Sequence, residues 1–304
     1  MKEGTAALFE LETSLPDARL KTQAERLVGF KARYDRIHQD LRLLIDKEGL
    51  ENWSKKHYHN RLPLLDSLFD RYPLVVFHGD VGTGKTATAE AVTNALAGEL
   101  GKGALLFKLS TRVRGSGNVG EMSSLINQAF DIVGEEAGKA KLSFLIIDEA
   151  DSLAANRSGS QSHHEDKVAV NTLIQKIDDV RRFNGRVLVI LCTNRYEALD
   201  PAILRRAAYV EEFRRPDDGE RREILNLDCE GLGLTASAIE ELVQLTGTHG
   251  PHKLGYTFSD IRTRLLPEAL VHAYPTRKIN HTDLIDAISR VAPSPTIFTT
   301  EDRV

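Results

Sequence analysis

The 304-residue sequence holds only two cysteines and one tryptophan, and no apolar run in it is long enough to cross a bilayer. Each scarcity excludes a class of protein. Cys192 and Cys229 are too few for a disulfide framework and fit a reducing cytosol. The longest apolar runs, 142–147 and 187–192, reach about six residues where a membrane-spanning helix needs about 20, so they are expected as buried strands and no membrane partner is expected. Residues 1–12 mix acids among their apolar positions and carry no signal-peptide core, so a cytoplasmic location is expected. Neither sign of charge dominates. Forty Lys and Arg against 44 Asp and Glu leave a net charge of −4, which gives no overall pull toward nucleic acid or anionic lipid. Hydrophobic residues at 41% and charged residues at 28% are ordinary for a folded chain, and the length accommodates about two domains.

Apolar residues Leu20, Ala24, Leu27, Tyr34, Ile37, Leu41, Leu44 and Ile45 recur at helical spacing, with Gly29 between them. The spacing predicts two helices joined near Val28-Gly29-Phe30, then a short helix over 62–69, so residues 1–70 are expected as a helical segment and linker. After Pro73 the pattern changes. Apolar runs at 74–77, 105–109, 144–147, 187–192 and 209–213 alternate with amphipathic stretches, the signature of a parallel sheet covered on both faces. Residues 71–216 are therefore expected as an α/β domain with a five-stranded parallel sheet. Pro216-Asp217-Asp218-Gly219 marks a boundary, and 217–292 reads as a small all-helical domain with helices over 221–228, 236–245, 259–274 and 283–291, followed by a tail over 293–304.

Gly79-Asp80-Val81-Gly82-Thr83-Gly84-Lys85-Thr86 fits G-x-x-x-x-G-K-[ST] and lies between a strand and a helix that opens through Ala87. In that setting glycines let backbone N–H groups wrap phosphates, Lys85 reaches the β and γ oxygens, and the Thr86 hydroxyl binds Mg²⁺. Strand 144–147 ends in Asp148-Glu149. Adjacent acids at the end of a buried strand need a partner or a cation, so Asp148 is expected to hold Mg²⁺ with Thr86, and Glu149 to polarise an attacking water. Strand 187–192 runs into Thr193-Asn194, which places a polar amide where open α/β sheets bind ligands.

With Leu199-Asp200-Pro201-Ala202-Ile203-Leu204-Arg205-Arg206 the chain resembles the AAA+ ATPases. The resemblance implies a P-loop NTPase fold with a helical lid, ATP and Mg²⁺ as cofactors, and a ring hexamer with sites between subunits. It also implies that Asn194 orients water near the γ-phosphate, and that Arg206, with Arg205 beside it, reaches the neighbouring subunit's site. Val28-Gly29-Phe30 sits where family members pack backbone against adenine. Gly255-Tyr256-Thr257-Phe258-Ser259-Asp260-Ile261 looks like the family's lid segment, with Arg262 and Arg264 as alternatives for its nucleotide-sensing arginine. Gly115-Ser116-Gly117-Asn118-Val119-Gly120-Glu121-Met122 matches the family's pore loop, with Asn118 in the slot of the gripping aromatic and Val119 and Met122 as the apolar candidates for substrate contact; the alternative is a Gly-rich surface loop without that role.

A narrower resemblance is carried by Ser152-Leu153-Ala154-Ala155-Asn156-Arg157, the polar stretch through His163-His164-Glu165-Asp166, Val170-Asn171 to Ile177-Asp178, Val180-Arg181-Arg182 and Arg264-Leu265-Leu266-Pro267. These are similar to the pachytene-checkpoint AAA+ ATPases, hexameric remodelers of HORMA-domain proteins. Bacterial relatives act in antiphage operons on HORMA proteins that control a nucleotide-cyclising enzyme. Only residues 1–70 precede the nucleotide-binding region, so the separate adaptor-binding domain of eukaryotic members is not expected. The resemblance thus implies ATP-driven partial unfolding of a HORMA-domain protein. Two alternatives are a nucleic-acid-handling AAA+ protein, disfavoured by the acidic balance, and an ATP-gated scaffold, disfavoured by Glu149 and Arg206. His57, His59 and the His163-His164 pair lack acidic or cysteine partners at ligand spacing and are expected as surface residues. Cys192, inside an apolar strand, is expected in the core.

Overall fold

The computed structural model describes residues 8–110, 121–139, 141–153 and 164–296, with 164–166 described in backbone only. These residues form two compact units. One comprises residues up to Ala24, Phe30–His78 and Thr86–Glu212; the other comprises Glu25–Gly29, Gly79–Lys85 and the chain from Phe213 onward.

The first unit is built on a sheet whose strands are β1 (Phe9–Leu15), β2 (Leu74–Gly79), β3 (Ala104–Leu109), β4 (Leu142–Ile147), β5 (Val187–Thr193) and β6 (Tyr209–Phe213). Their order is β1-β3-β4-β5-β2-β6. β3, β4, β5 and β2 pair in parallel, with Phe144 opposite Leu188 and Phe77 opposite Cys192. Side chains alternate between faces, as a period of two requires. Leu74, Val76, Leu145, Ile147, Val189 and Leu191 enter a core with Ile126, Phe130 and Val133 of α6 (Glu121–Gly138) and Leu173 and Ile177 of α7 (His164–Asp179). Val75, Phe77, Phe144, Ile146, Leu188, Ile190 and Cys192 fill the other face and are equally buried. The apolar runs are continuous because both faces are covered.

Two sequence expectations are corrected here. The sheet has six strands rather than five, and it is mixed, because β1 pairs antiparallel with β3. The N-terminal segment, expected as helices alone, therefore opens with a strand. Phe9, Leu11, Thr13 and Leu15 alternate with Glu10, Glu12 and Ser14, a period-two pattern whose acids suit a sheet edge. The helices after it are α1 (Ala18–Glu25), α2 (Phe30–Ile45), α3 (Lys47–Tyr58) and α4 (Leu64–Phe69). The break at Gly29 falls where expected. The helical pattern continued past Ile45 hides a second break, where the Asp46 side chain accepts from Gly49 N and caps α3. α5 (Lys85–Leu100) follows β2, and the short α8 (Pro201–Leu204) precedes β6.

The second unit is helical: α9 (Asp218–Asp228), α10 (Ala236–Leu245), a π-helical turn over Asp260–Leu265, α11 (Leu266–Ala273) and α12 (His281–Arg290). Capping boxes start two of them, Asp217 with Glu220 and Asn280 with Asp283. The π turn has a local cause. Pro267 has no N–H to give Thr263, and a proline ring clashes with the carbonyl four residues back in a regular helix; here the preceding residue Leu266 bonds back to Ile261 O. Ile224, Leu242, Val243, Tyr256, Ile261, Leu265, Leu284 and Ile288 form the core, and Val28 from the N-terminal part of the chain joins them. Among the described residues no helix is long and apolar enough to cross a membrane.

Candidate nucleotide site

The glycine-rich loop begins where β2 ends. Gly79 has φ +137° and Gly82 has φ +74°, in regions that L side chains rarely adopt. Space forbids a side chain as well. A Cβ on Gly79 would lie 1.9 Å from Phe213 O, and one on Gly82 would lie 2.6 Å from the Ser259 Cβ. The loop folds around its own lysine: Lys85 Nζ donates to Gly79 O at 2.9 Å and to Asp80 O at 2.7 Å, and Thr83 Oγ1 donates to Asp80 O at 2.7 Å. Lys85 is nearly buried, so the loop presents a cation with its stem fixed. Val81 is exposed, whereas Thr83 is buried. The loop runs through Gly84, at φ +90°, into α5, whose first residues are Lys85, Thr86 and Ala87.

Within the sheet unit, Thr86 Oγ1 donates to Asp148 Oδ2 at 2.7 Å. This hydroxyl and carboxylate, expected to share a cation, are thus already in contact, and hard oxygen donors of this kind suit Mg²⁺. Asp148 is half-buried and its Oδ1 accepts from Glu149 N at 2.9 Å. Glu149 is exposed and has φ +48°, uncommon for a residue with a side chain and characteristic of functional turns. On α5, burial pushes the Glu90 carboxyl above its ordinary value; Lys108 opposes this at 3.3 Å, and the Asp148 charge adds to it. Asn194 follows β5 and is half-buried, and beside it Thr193 Oγ1 donates to Asp151 Oδ1 at 2.8 Å.

The other predicted residues divide by what holds them. Arg206 forms a two-pronged pair with Asp178, Nε to Oδ1 at 2.6 Å and Nη2 to Oδ2 at 2.9 Å, donates to Ala202 O, and lies over the Tyr72 ring. The Asp178 carboxylate holds the Arg206 guanidinium above its ordinary value. Arg205 is exposed. Arg262 spends its guanidinium on Asp228, at 2.5 and 3.3 Å, and Arg264 reaches Asp260 at 3.0 Å. Val28 packs into the helical core, Gly29 has φ +69° with Glu220 against it, and Phe30 starts α2 with its ring stacked on Tyr34. Met122 does not fit a pore contact: it is buried in the sheet core as part of α6. Asn118 and Val119 lie outside the described residues, as do residues 154–157 and His163. His57 packs on Trp53, and His59 closes α3 in a left-handed cap.

Sequence reasoning missed Asp178 as the partner of Arg206 and Arg215 as a partner of the loop. Neither has a signal in spacing, since both pairs join residues far apart in the chain.

The family model for "ATPase family associated with various cellular activities (AAA)" matches residues 75–215. Over 291 residues the chain is 50% identical to CD-NTase-associated protein 6 of Escherichia coli (strain KTE188), covering 95% of this chain and 97% of that one. The chain belongs to the AAA ATPase family. ATP binding and hydrolysis are what that membership implies. Among solved structures, this AAA ATPase is similar to a chain of the E. coli MS115-1 HORMA:CdnC:Trip13 complex, with TM-score 0.88 and 39% identity over 98% of this chain and 100% of that one. It is also similar to Rhizobiales Trip13, with TM-score 0.72 and 34% identity over 95% and 100% of the two chains.

Proposed function

We propose that the protein hydrolyses Mg-ATP to remodel a HORMA-domain protein, working as a homohexamer in a cytoplasmic antiphage system that includes a nucleotide-cyclising enzyme. The observation that carries this reading is the likeness along nearly the whole chain to a chain of the HORMA:CdnC:Trip13 complex. The site chemistry supports the ATPase half. Lys85 and the backbone of Gly79–Thr86 bind the phosphates, and Thr86 and Asp148 hold Mg²⁺, which when bound neutralises charge developing on the phosphate oxygens. Glu149 takes the proton of the attacking water, and Asn194 orients that water. The Val28-Gly29-Phe30 backbone borders adenine, and the lid's nucleotide-sensing arginine is Arg262 or Arg264, which must give up its bond to Asp228 or Asp260 to reach the nucleotide. Arg206, oriented by Asp178, and the exposed Arg205 act on the ATP of the adjacent subunit, a contribution of about 10³ to 10⁵ in rate in other NTPases.

The test is a set of variants with two readouts, ATP binding and turnover. Lys85→Ala is expected to lose ATP binding. Glu149→Gln is expected to keep ATP, lose about 10² to 10⁴ in turnover, and retain a HORMA-domain protein in a pull-down. Arg206→Ala is expected to bind ATP and hydrolyse poorly, with turnover recovered on mixing with Lys85→Ala subunits. Undiminished turnover in Glu149→Gln contradicts the catalytic assignment, and absence of recovery contradicts the action in trans. Salt-dependent DNA stimulation without any HORMA effect contradicts the choice of substrate.

A further inference from the structure

Arg215, in the segment between β6 and α9, is mostly buried, and all three of its donor groups are engaged. Its Nε donates to Asp80 Oδ2 at 2.7 Å, its Nη1 to Gly255 O at 2.6 Å and its Nη2 to Ser294 O at 2.7 Å. The three acceptors come from the nucleotide-binding loop, from the turn that precedes the π-helical segment, and from the chain after α12. The same stretches meet at further points. Ser259 N donates to Gly82 O at 3.1 Å, Ser294 N and Oγ donate to Asp260 at 3.0 and 2.7 Å, and Asp260 also accepts from Thr257 N at 3.0 Å. Asp80, the loop residue that Arg215 grips, supplies through its carbonyl an acceptor for both Lys85 and Thr83. The Asp80 side chain is thus anchored from outside the loop, while its backbone anchors the phosphate-binding lysine.

We propose that Arg215 is a positioning residue for nucleotide: it fixes Asp80, and through Asp80 the shape of the loop around Lys85, so that ATP affinity depends on the lid turn and the C-terminal segment bound by the same guanidinium. This deepens the ATP-binding reading of the site and rests on it. A planar fork can serve three acceptors in different directions, which a lysine ammonium on a flexible stem cannot reproduce. The charged bond to Asp80 is of the stronger kind.

The test is a double-mutant cycle on ATP affinity, by titration calorimetry in a Glu149→Gln background so that bound ATP persists, with kcat and KM measured alongside in chains that keep Glu149. Arg215→Met is expected to weaken ATP binding by about tenfold or more, raising KM while kcat stays within about threefold. Arg215→Lys is expected to recover part of that loss. Asp80→Ala, which leaves the two lid carbonyl bonds intact, is expected to weaken binding as well, and Arg215→Met added to it to cost little more, because the two residues act as one unit. If Arg215→Met does not fold, Asp80→Ala decides alone. Wild-type affinity in Asp80→Ala, fully additive losses, or a fall in kcat at constant KM overturns the positioning role while leaving the ATP site standing. Absence of ATP binding in the parent chain, with Lys85→Ala no different from it, overturns the nucleotide reading and this proposal with it.

Discussion

At the scale of single residues, the site is a set of side chains whose freedom is removed before any ligand arrives. Lys85 is tied to the carbonyls of its own loop, Thr86 to Asp148, and Arg206 to Asp178. The last pair fixes a guanidinium just past α8, and for the proposed action in trans Asp178 would remove in advance much of the rotamer entropy that a solvated arginine loses on binding. Asp178→Asn keeps the shape and an acceptor but weakens the charge pairing. It is expected to reduce ATP turnover by about an order of magnitude with ATP affinity unchanged; a fall in affinity instead would place Asp178 in nucleotide binding. Gly79 is the other residue-scale constraint. Gly79→Ala sets a methyl group against Phe213 O at a positive φ, and is expected to destabilise the fold by about 1 to 3 kcal/mol and disturb nucleotide binding, read by thermal melting and ATP titration.

At the scale of elements, the helical unit carries a pH-dependent restraint at its π-helical turn. Burial alone would push the Asp260 carboxyl up, but bonds from Ser294 and Thr257 outweigh it and hold the group below its ordinary value of 3.8. Asp283 is lowered to about 2 by Arg277 and by the Asn280 backbone in its capping box. A carboxylate lowered on folding stabilises fully above its unfolded value and loses that contribution as pH falls toward the folded one. The helical unit is therefore expected to lose stability from about pH 4 downward. Asp260→Asn is expected to be less stable at pH 7 yet to show a shallower acid slope, measured by circular dichroism melts between neutral pH and pH 2.5; an unchanged slope contradicts the assignment.

Elements also differ in how legible they were. β4 and β5 were plain in the sequence because strands buried on both faces read as unbroken apolar runs, and the glycine-rich loop was plain because its geometry admits few residue types. β1 was not, because a short edge strand studded with glutamates carries little hydrophobic signal, and its pairing with β3 is settled by partners 89 to 100 residues away. The π turn was concealed inside a helical pattern that Pro267 only perturbs. Arg215 and Asp178 were invisible as partners because hydrogen bonds between distant residues leave no periodicity. Met122 misled because an apolar residue next to a glycine-rich stretch reads as exposed, while the helix it enters turns it into the core.

At the scale of the whole molecule, the near-neutral charge and the likeness to Trip13 chains point the same way, toward a protein substrate rather than a polyanion. An AAA ATPase that remodels its substrate must couple turnover to a change in that substrate. The most direct measurement is hydrogen exchange of the HORMA-domain protein retained by Glu149→Gln, purified and incubated with this ATPase and ATP. The expected result is an ATP-dependent loss of protection in a contiguous part of the HORMA fold, absent with Glu149→Gln. Unchanged protection while ATP is being turned over would contradict the account.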